Sequence, residues 1–221
     1  MTMSEKESKP ERYSLDRVTV EMRTELTWEM PGKIKEFPWP LELQGKGSTN
    51  EQDGSMHIEF PKGDIFLSFV TAIHELGHLR QEELKPALKA KTGIARDFAQ
   101  ESDAWERGWK RFIKSNPDTL KSLENKFQKY HKQGKLEFAS FQELYQWIQQ
   151  NALRMVEVQR VLFEGSKKPQ EERMNMLADE LEKIGVRDFL TRYAETRVGE
   201  IIDEQKMRVV IKKTLKHIIA E

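Results

Sequence analysis

An apolar run that ends in imidazole and carboxylate constrains this chain of 221 residues more than any other feature of it. Asp64-Ile65-Phe66-Leu67-Ser68-Phe69-Val70-Thr71-Ala72-Ile73 leads directly into His74-Glu75-Leu76-Gly77-His78. Ile65, Phe69, Ala72 and Leu76 recur at helical spacing and make one apolar face, while Leu67, Val70 and Thr71 occupy the other side. A helix that is apolar nearly all round is a buried helix, so the fold has to be built around this segment. The same helix must then find partners for one carboxylate and two imidazoles, because polar groups left unpaired in an interior are costly.

A metal ion is the partner that this spacing fits. Residues four apart on a helix lie about 40° from one another, so His74 and His78 point the same way. Glu75 lies about 60° from His78, close enough to reach a water beside the metal. Two nitrogen ligands, an open metal position and a neighbouring base are the parts of metal-assisted hydrolysis. On a polar surface helix the same pentapeptide would carry little weight, and its apolar context is what distinguishes it here. Gly77 adds to the reading. A glycine inside a helix costs about 1 kcal/mol relative to alanine, and its missing side chain lets a second backbone approach the histidine side.

Two histidines do not complete a catalytic zinc site, which typically has three protein ligands. The chain has no cysteine, so histidine and carboxylate must supply the set. No third histidine follows at the HExxHxxxxxH spacing. The next helical segment, 95–114, is strongly amphipathic, with Phe98, Trp105, Trp109, Phe112 and Ile113 on one face. It offers Glu101, Asp103 and Glu106. Measured from Phe98, Glu101 borders the apolar face, Glu106 falls just past the other border, and Asp103 lies about 140° away, near the solvent side. The expected site is therefore Zn²⁺ held by His74, His78 and Glu101, with Glu75 as the catalytic base and Asp103 as the alternative third ligand.

The rest of the chain frames this site. A disordered lead is expected over residues 1–12, a domain over 13–115, and a helical region over 116–221. Strand-like alternation occurs at Val18–Val20, continuing in style to Trp28, and at Met56–Phe60. Pro31-Gly32 and Phe37-Pro38-Trp39-Pro40 are breaks, Gly45–Gly54 reads as a polar loop, and Asp64 is a good N-cap. Helices are expected near 118–132, 141–163, 170–184 and within 187–220, punctuated by Gly134, Gly165, Gly185 and Gly199. A small mixed part followed by helices gives an α+β class.

Charge excludes more than it proposes. With 37 basic and 37 acidic residues the net charge is zero, which gives no global case for nucleic acid. The locally basic stretch Lys110–Lys135, with Phe127 and Tyr130 interleaved, reads first as a solvated helical face, with contact to nucleic acid or an acidic partner as the weaker alternative. Met1–Arg12 has no apolar core of a secretory signal, and Ile65–Ile73 is too short to span a bilayer, so a cytoplasmic protein without a membrane partner is expected. His57, His131 and His217 are isolated. Tyr130, Tyr145, Tyr193 and Arg107 are all available to stabilise an oxyanion, and the sequence does not choose among them.

Ala72-Ile73-His74-Glu75-Leu76-Gly77-His78, together with Glu101-Ser102-Asp103-Ala104-Trp105, resembles the ImmA/IrrE family of small zinc-peptidase-like proteins. The resemblance covers about residues 55–113. It implies a zincin-like core of short strands with an HExxH helix and a glutamate helix, one zinc, and hydrolysis of a protein or peptide substrate, in that family usually a transcriptional regulator. The alternative it carries is a non-catalytic zincin-fold regulatory or adaptor protein that binds a repressor-like partner. The chain departs from the family where Leu79-Arg80-Gln81-Glu82-Glu83 is polar and where Trp105-Glu106-Arg107-Gly108-Trp109 replaces an apolar continuation. No clear helix-turn-helix precedes the core.

Overall fold

The computed structural model describes residues 18–23, 46–50, 55–61, 65–81, 87, 93–163, 167–195 and 201–221. The expectations for residues 1–12, for Thr24–Trp28 and Pro31–Pro40, for Asp64 as a cap and for the breaks at Gly165 and Gly199 lie outside the described residues. Three strands come first: β1 Val18–Arg23, β2 Lys46–Asn50 and β3 Ser55–Pro61. The longer helices among the described residues are α1 Ile65–His78, α2 Gly93–Ser115, α3 Pro117–Lys132, α4 Phe141–Phe163, α5 Gln170–Lys183, α6 Val186–Glu195 and α7 Glu204–Ala220.

The α+β class expected from the sequence is corrected by this element list. Helices make up the great majority of the described residues, and β structure among them is limited to three short strands, so the protein is mostly helical rather than an α+β zincin core. The expectation gave the short alternating segments near the N-terminus the same weight as the long helical half. The strands form one sheet in the order β1-β3-β2. β1 runs parallel to β3, with Val18 opposite Met56 and Val20 opposite Ile58. β2 runs antiparallel to β3, with Ser48 opposite His57. β2 falls inside the stretch read as a loop, because Lys-Gly-Ser-Thr-Asn has no apolar alternation. Strand pairing is a backbone bond and does not require it.

The core is organised around α1, as its composition demands. Phe66, Phe69, Val70, Ala72, Ile73 and Leu76 are all buried. Rings from four helices meet over its first half. Phe66 meets Phe141 edge-on at 5.7 Å, and Phe69 meets Phe112 edge-on at 5.5 Å. Phe127 of α3 and Tyr145 of α4 close the same cluster against Phe141. This core continues to Leu215 and Ile218 of α7, so it crosses the boundary at 115/116 that the sequence suggests. A smaller cluster of Leu177, Ala178, Leu181, Val186 and Phe189 packs α5 on α6, with Trp147 of α4 against it.

Glycine sets the distance between α1 and α2. A Cβ on Gly77 would stand 1.8 Å from the carbonyl oxygen of Ala104, and one on Gly108 would stand 2.0 Å from that of Ile73. Each helix thus offers a bare backbone where the other is closest. Neither obstacle is a side chain that can swing aside. Gly77→Ala and Gly108→Ala are each expected to destabilise the fold by at least about 1–3 kcal/mol, the usual range for overpacking, read as a lower urea midpoint. An unchanged midpoint for both would mean that the helices do not cross this closely.

The C-terminal end of α1, where carbonyls lack helical partners, is held from two directions. Arg111 of α2 is buried and donates from Nη1 to the carbonyls of Leu76, at 2.6 Å, and Leu79, at 2.9 Å. Its Nη2 donates to Glu221 Oε2 at 2.7 Å, just past α7. Arg80 Nη1 donates to the carbonyl of Ile218 on α7 at 3.0 Å. The end of the histidine helix is therefore braced by α2 and α7 together.

Candidate metal centre

The packing of α1 on α2 brings His74, His78 and Glu101 together. Each offers one ligand atom, and these atoms all lie within 4.8 Å of one another. Among the described residues this is the group of histidine and acidic side chains that could hold a metal ion, and His57 is not part of it. Glu101 Oε2 lies 3.0 Å from His74 Nε2 and 3.6 Å from His78 Nε2. The side chains of His74, His78 and Glu101 are 13%, 17% and 25% exposed, so the group sits at the edge of the core with one side open to solvent. The rings of His74 and His78 are 4.7 Å apart, as residues one turn apart on a face should be. Trp105 stacks on His74 at 4.5 Å and fixes the plane of that ring.

The donor set fits a cation. His74 Nε2 is buried and makes no hydrogen bond, although Glu101 Oε2 lies 3.0 Å from it. A buried polar atom without a hydrogen bond, with a carboxylate oxygen 3.0 Å away, is one that a metal ion would satisfy. In the metal-free protein the carboxylate and the imidazoles compensate one another. Burial alone would raise the pKa of Glu101, but the two imidazoles outweigh it and hold the carboxyl well below the usual range. Burial alone would lower the pKa of His78, but the bond and charge of Glu101, with smaller help from Glu75 and Gln81, hold it above its ordinary value.

Glu75 stands beside this group. It is 7% exposed, with Oε1 3.6 Å from His74 Nδ1. Burial pushes its pKa up, against the opposing pull of His74 and His78. A buried carboxylate with a raised pKa holds a proton more readily than a free one.

Asp103 does not join the group, and it does not face solvent as the helical wheel implied. Its side chain is 10% exposed, and its Oδ2 accepts from Gln81 Nε2 at 2.9 Å and from Arg107 Nη2 at 2.8 Å. Glu106 is exposed and pairs with Lys110. Two of the candidate oxyanion donors are committed elsewhere. Arg107 holds Asp103, and the buried Tyr145 hydroxyl donates to the carbonyl of Trp105 at 2.9 Å. Tyr193 packs in the core beside Phe189, and Tyr130 lies under Lys135. His131 Nδ1 lies 3.1 Å from the carbonyl of Leu136, and His217 sits 3.5 Å from Glu221. Gln81, which is 2% exposed and in contact with His78, is the site neighbour that sequence reasoning missed.

No helix among the described residues is long and apolar enough to cross a membrane. Comparison of the chain with protein-family models, with curated proteins and with solved structures gives no match.

Proposed function

We propose that this chain is a zinc-dependent peptidase of the HExxH type, similar in its site to the ImmA/IrrE family, acting on a protein or peptide substrate. One observation carries the reading. The ligand atoms of His74, His78 and Glu101 converge within 4.8 Å while Glu75, buried and with a raised pKa, stands against the same group. The donor set of two imidazole nitrogens and one carboxylate oxygen is that of catalytic zinc, and the absence of cysteine removes the sulfur-rich structural alternatives.

Bound zinc would supply Lewis acidity, making a water acidic near neutral pH and polarising the carbonyl to be attacked. The chain supplies the rest. Neutral His74 and His78 and ionised Glu101 would hold the ion, and Trp105 keeps the His74 ring in place. Glu75 takes the proton of the attacking water and passes it to the leaving amine. The crossing at Gly77 and Gly108 holds α2, and with it Glu101, against the histidine face.

Metal analysis of the purified protein tests the reading first. About one zinc per chain is expected from a three-ligand site, together with hydrolysis of an unfolded protein such as casein that a chelator abolishes and added zinc restores. Protein that neither carries zinc nor takes it up from solution would end the proposal.

A further inference from the structure

Gln81 follows a left-handed turn at Arg80 and is held by three polar contacts, to His78, Gln100 and Asp103. α1 ends at His78, and Arg80 takes the left-handed conformation, with φ 58°. That conformation is uncommon for a residue with a side chain. It turns the chain back, so that Gln81 is buried under His78 and beside α2. Gln81 Nε2 lies 2.6 Å from the carbonyl of Gln100 and 2.9 Å from Asp103 Oδ2. Both neighbours can only accept, so this end of the amide must be its NH₂ group, with both hydrogens used. The amide oxygen is then the atom 3.2 Å from His78 Nδ1. An amide oxygen only accepts, so Nδ1 of His78 must carry the proton.

This order of donors has a consequence for the metal centre. In the neutral ring, with its one proton on Nδ1, His78 leaves the Nε2 lone pair free, and Nε2 is the atom that faces Glu101. The sequence of donors ends on Asp103, whose orientation is fixed by two bonds from Arg107, at 2.8 and 3.2 Å. Arg107 can only donate, so no link in the series can reverse.

We propose that Gln81 is a positioning residue for the metal centre. Its amide fixes His78 as the Nδ1–H tautomer and leaves Nε2 as the nitrogen that would bind the ion, while Asp103, clamped by Arg107, fixes the amide. The inference rests on the metal reading above. It also assigns Asp103 a role distinct from that of a ligand, one that explains its burial on the same helix as Glu101.

Cobalt(II) is a suitable probe, because its visible absorption reports ligand geometry. Gln81→Met keeps the length of the side chain and removes the amide. Its cobalt affinity, measured by competition with a chromophoric chelator, is expected to fall about 10- to 100-fold, as is usual when the partner of a ligating histidine is lost. The cobalt absorption bands should shift, while the far-ultraviolet circular dichroism of the metal-free protein stays that of the wild type. Asp103→Asn keeps an acceptor for the amide but weakens the Arg107 clamp, and a smaller loss with a smaller spectral shift is expected. It decides the matter if Gln81→Met fails to fold. Wild-type affinity and an unmoved spectrum in the folded variants would overturn the positioning role and leave the metal reading standing. A wild-type protein that binds no cobalt would remove the metal reading itself.

Discussion

Glu75→Gln is expected to lose hydrolysis by on the order of 10²-fold or more, the scale of a general-base contribution, while keeping its metal and its fold. The argument begins with burial. Glu75 is 7% exposed, and the cost of holding its charge there is what raises its pKa. The amide is nearly the same size and needs no charge, so the variant should be as stable as the wild type or slightly more so. Loss of activity together with unchanged or improved stability marks a charge retained for function rather than for folding. Metal content should not change, because the ligand atoms belong to His74, His78 and Glu101. A regulatory or adaptor module predicts something different, with Glu75→Gln leaving cellular function intact as long as partner binding is intact. If Glu75→Gln matches the wild type in every assay while His74→Ala does not, the metal is structural and the peptidase reading fails.

The helical half of the fold was legible because its signals are local. The expected segment 141–163 coincides with α4, and 118–132 and 170–184 differ from α3 and α5 by a residue at one end. Gly134 and Gly185 do take positive φ where they were read as breaks. The sheet was only partly legible. β1 and β3 alternate in sequence, whereas β2 is recruited by backbone pairing that its polar side chains do not announce. The class was misjudged because existence of strands is not a measure of their share.

At the site, the histidines and Glu75 needed only helical phase. Glu101 was picked out by the same phase, yet for an incomplete reason. The wheel was centred on large apolar residues, but α2 also buries Ala104, Gly108 and Arg111. Gly108 and Ala104 lie where α1 comes closest, and small residues there give no hydrophobic signal. With them included, the buried side of α2 extends around Glu101, which lies within it and not at its border. The same shift explains why Asp103, placed near solvent by the wheel, is 10% exposed. Gln81 had no signal at all. A glutamine after a helix is ordinary in sequence, and only the reversal at Arg80 turns it toward His78.

Removing a ligand should cost the protein its metal, and removing the metal should reverse its response to pH. His74→Ala and His78→Ala are each expected to take zinc from about one per chain to near zero after dialysis, because two ligands and solvent do not hold the ion as three do. Glu101→Ala should weaken zinc far more than Asp103→Ala, which disturbs only the support of His78. The pH response follows from the compensation seen in the metal-free site. His78 is held above its ordinary 6.5, so its contribution to stability is complete below that value and is lost as pH rises through the raised one. Glu75, raised from 4.5 by burial, also favours the folded state more at lower pH. Glu101 is held below 4.5, so its contribution is present above that value and is lost only as pH falls through the depressed one. The metal-free protein should therefore be most stable between the ordinary carboxylate and imidazole values, and less stable at about pH 8 than at about pH 6. Zinc needs both histidines neutral, so the loaded protein gains where the free one loses. The difference in Tm between loaded and metal-free protein should widen from about pH 6 to about pH 8. A difference that stays constant across that range, or a zinc content untouched by His74→Ala and His78→Ala together, would place any bound metal away from these residues.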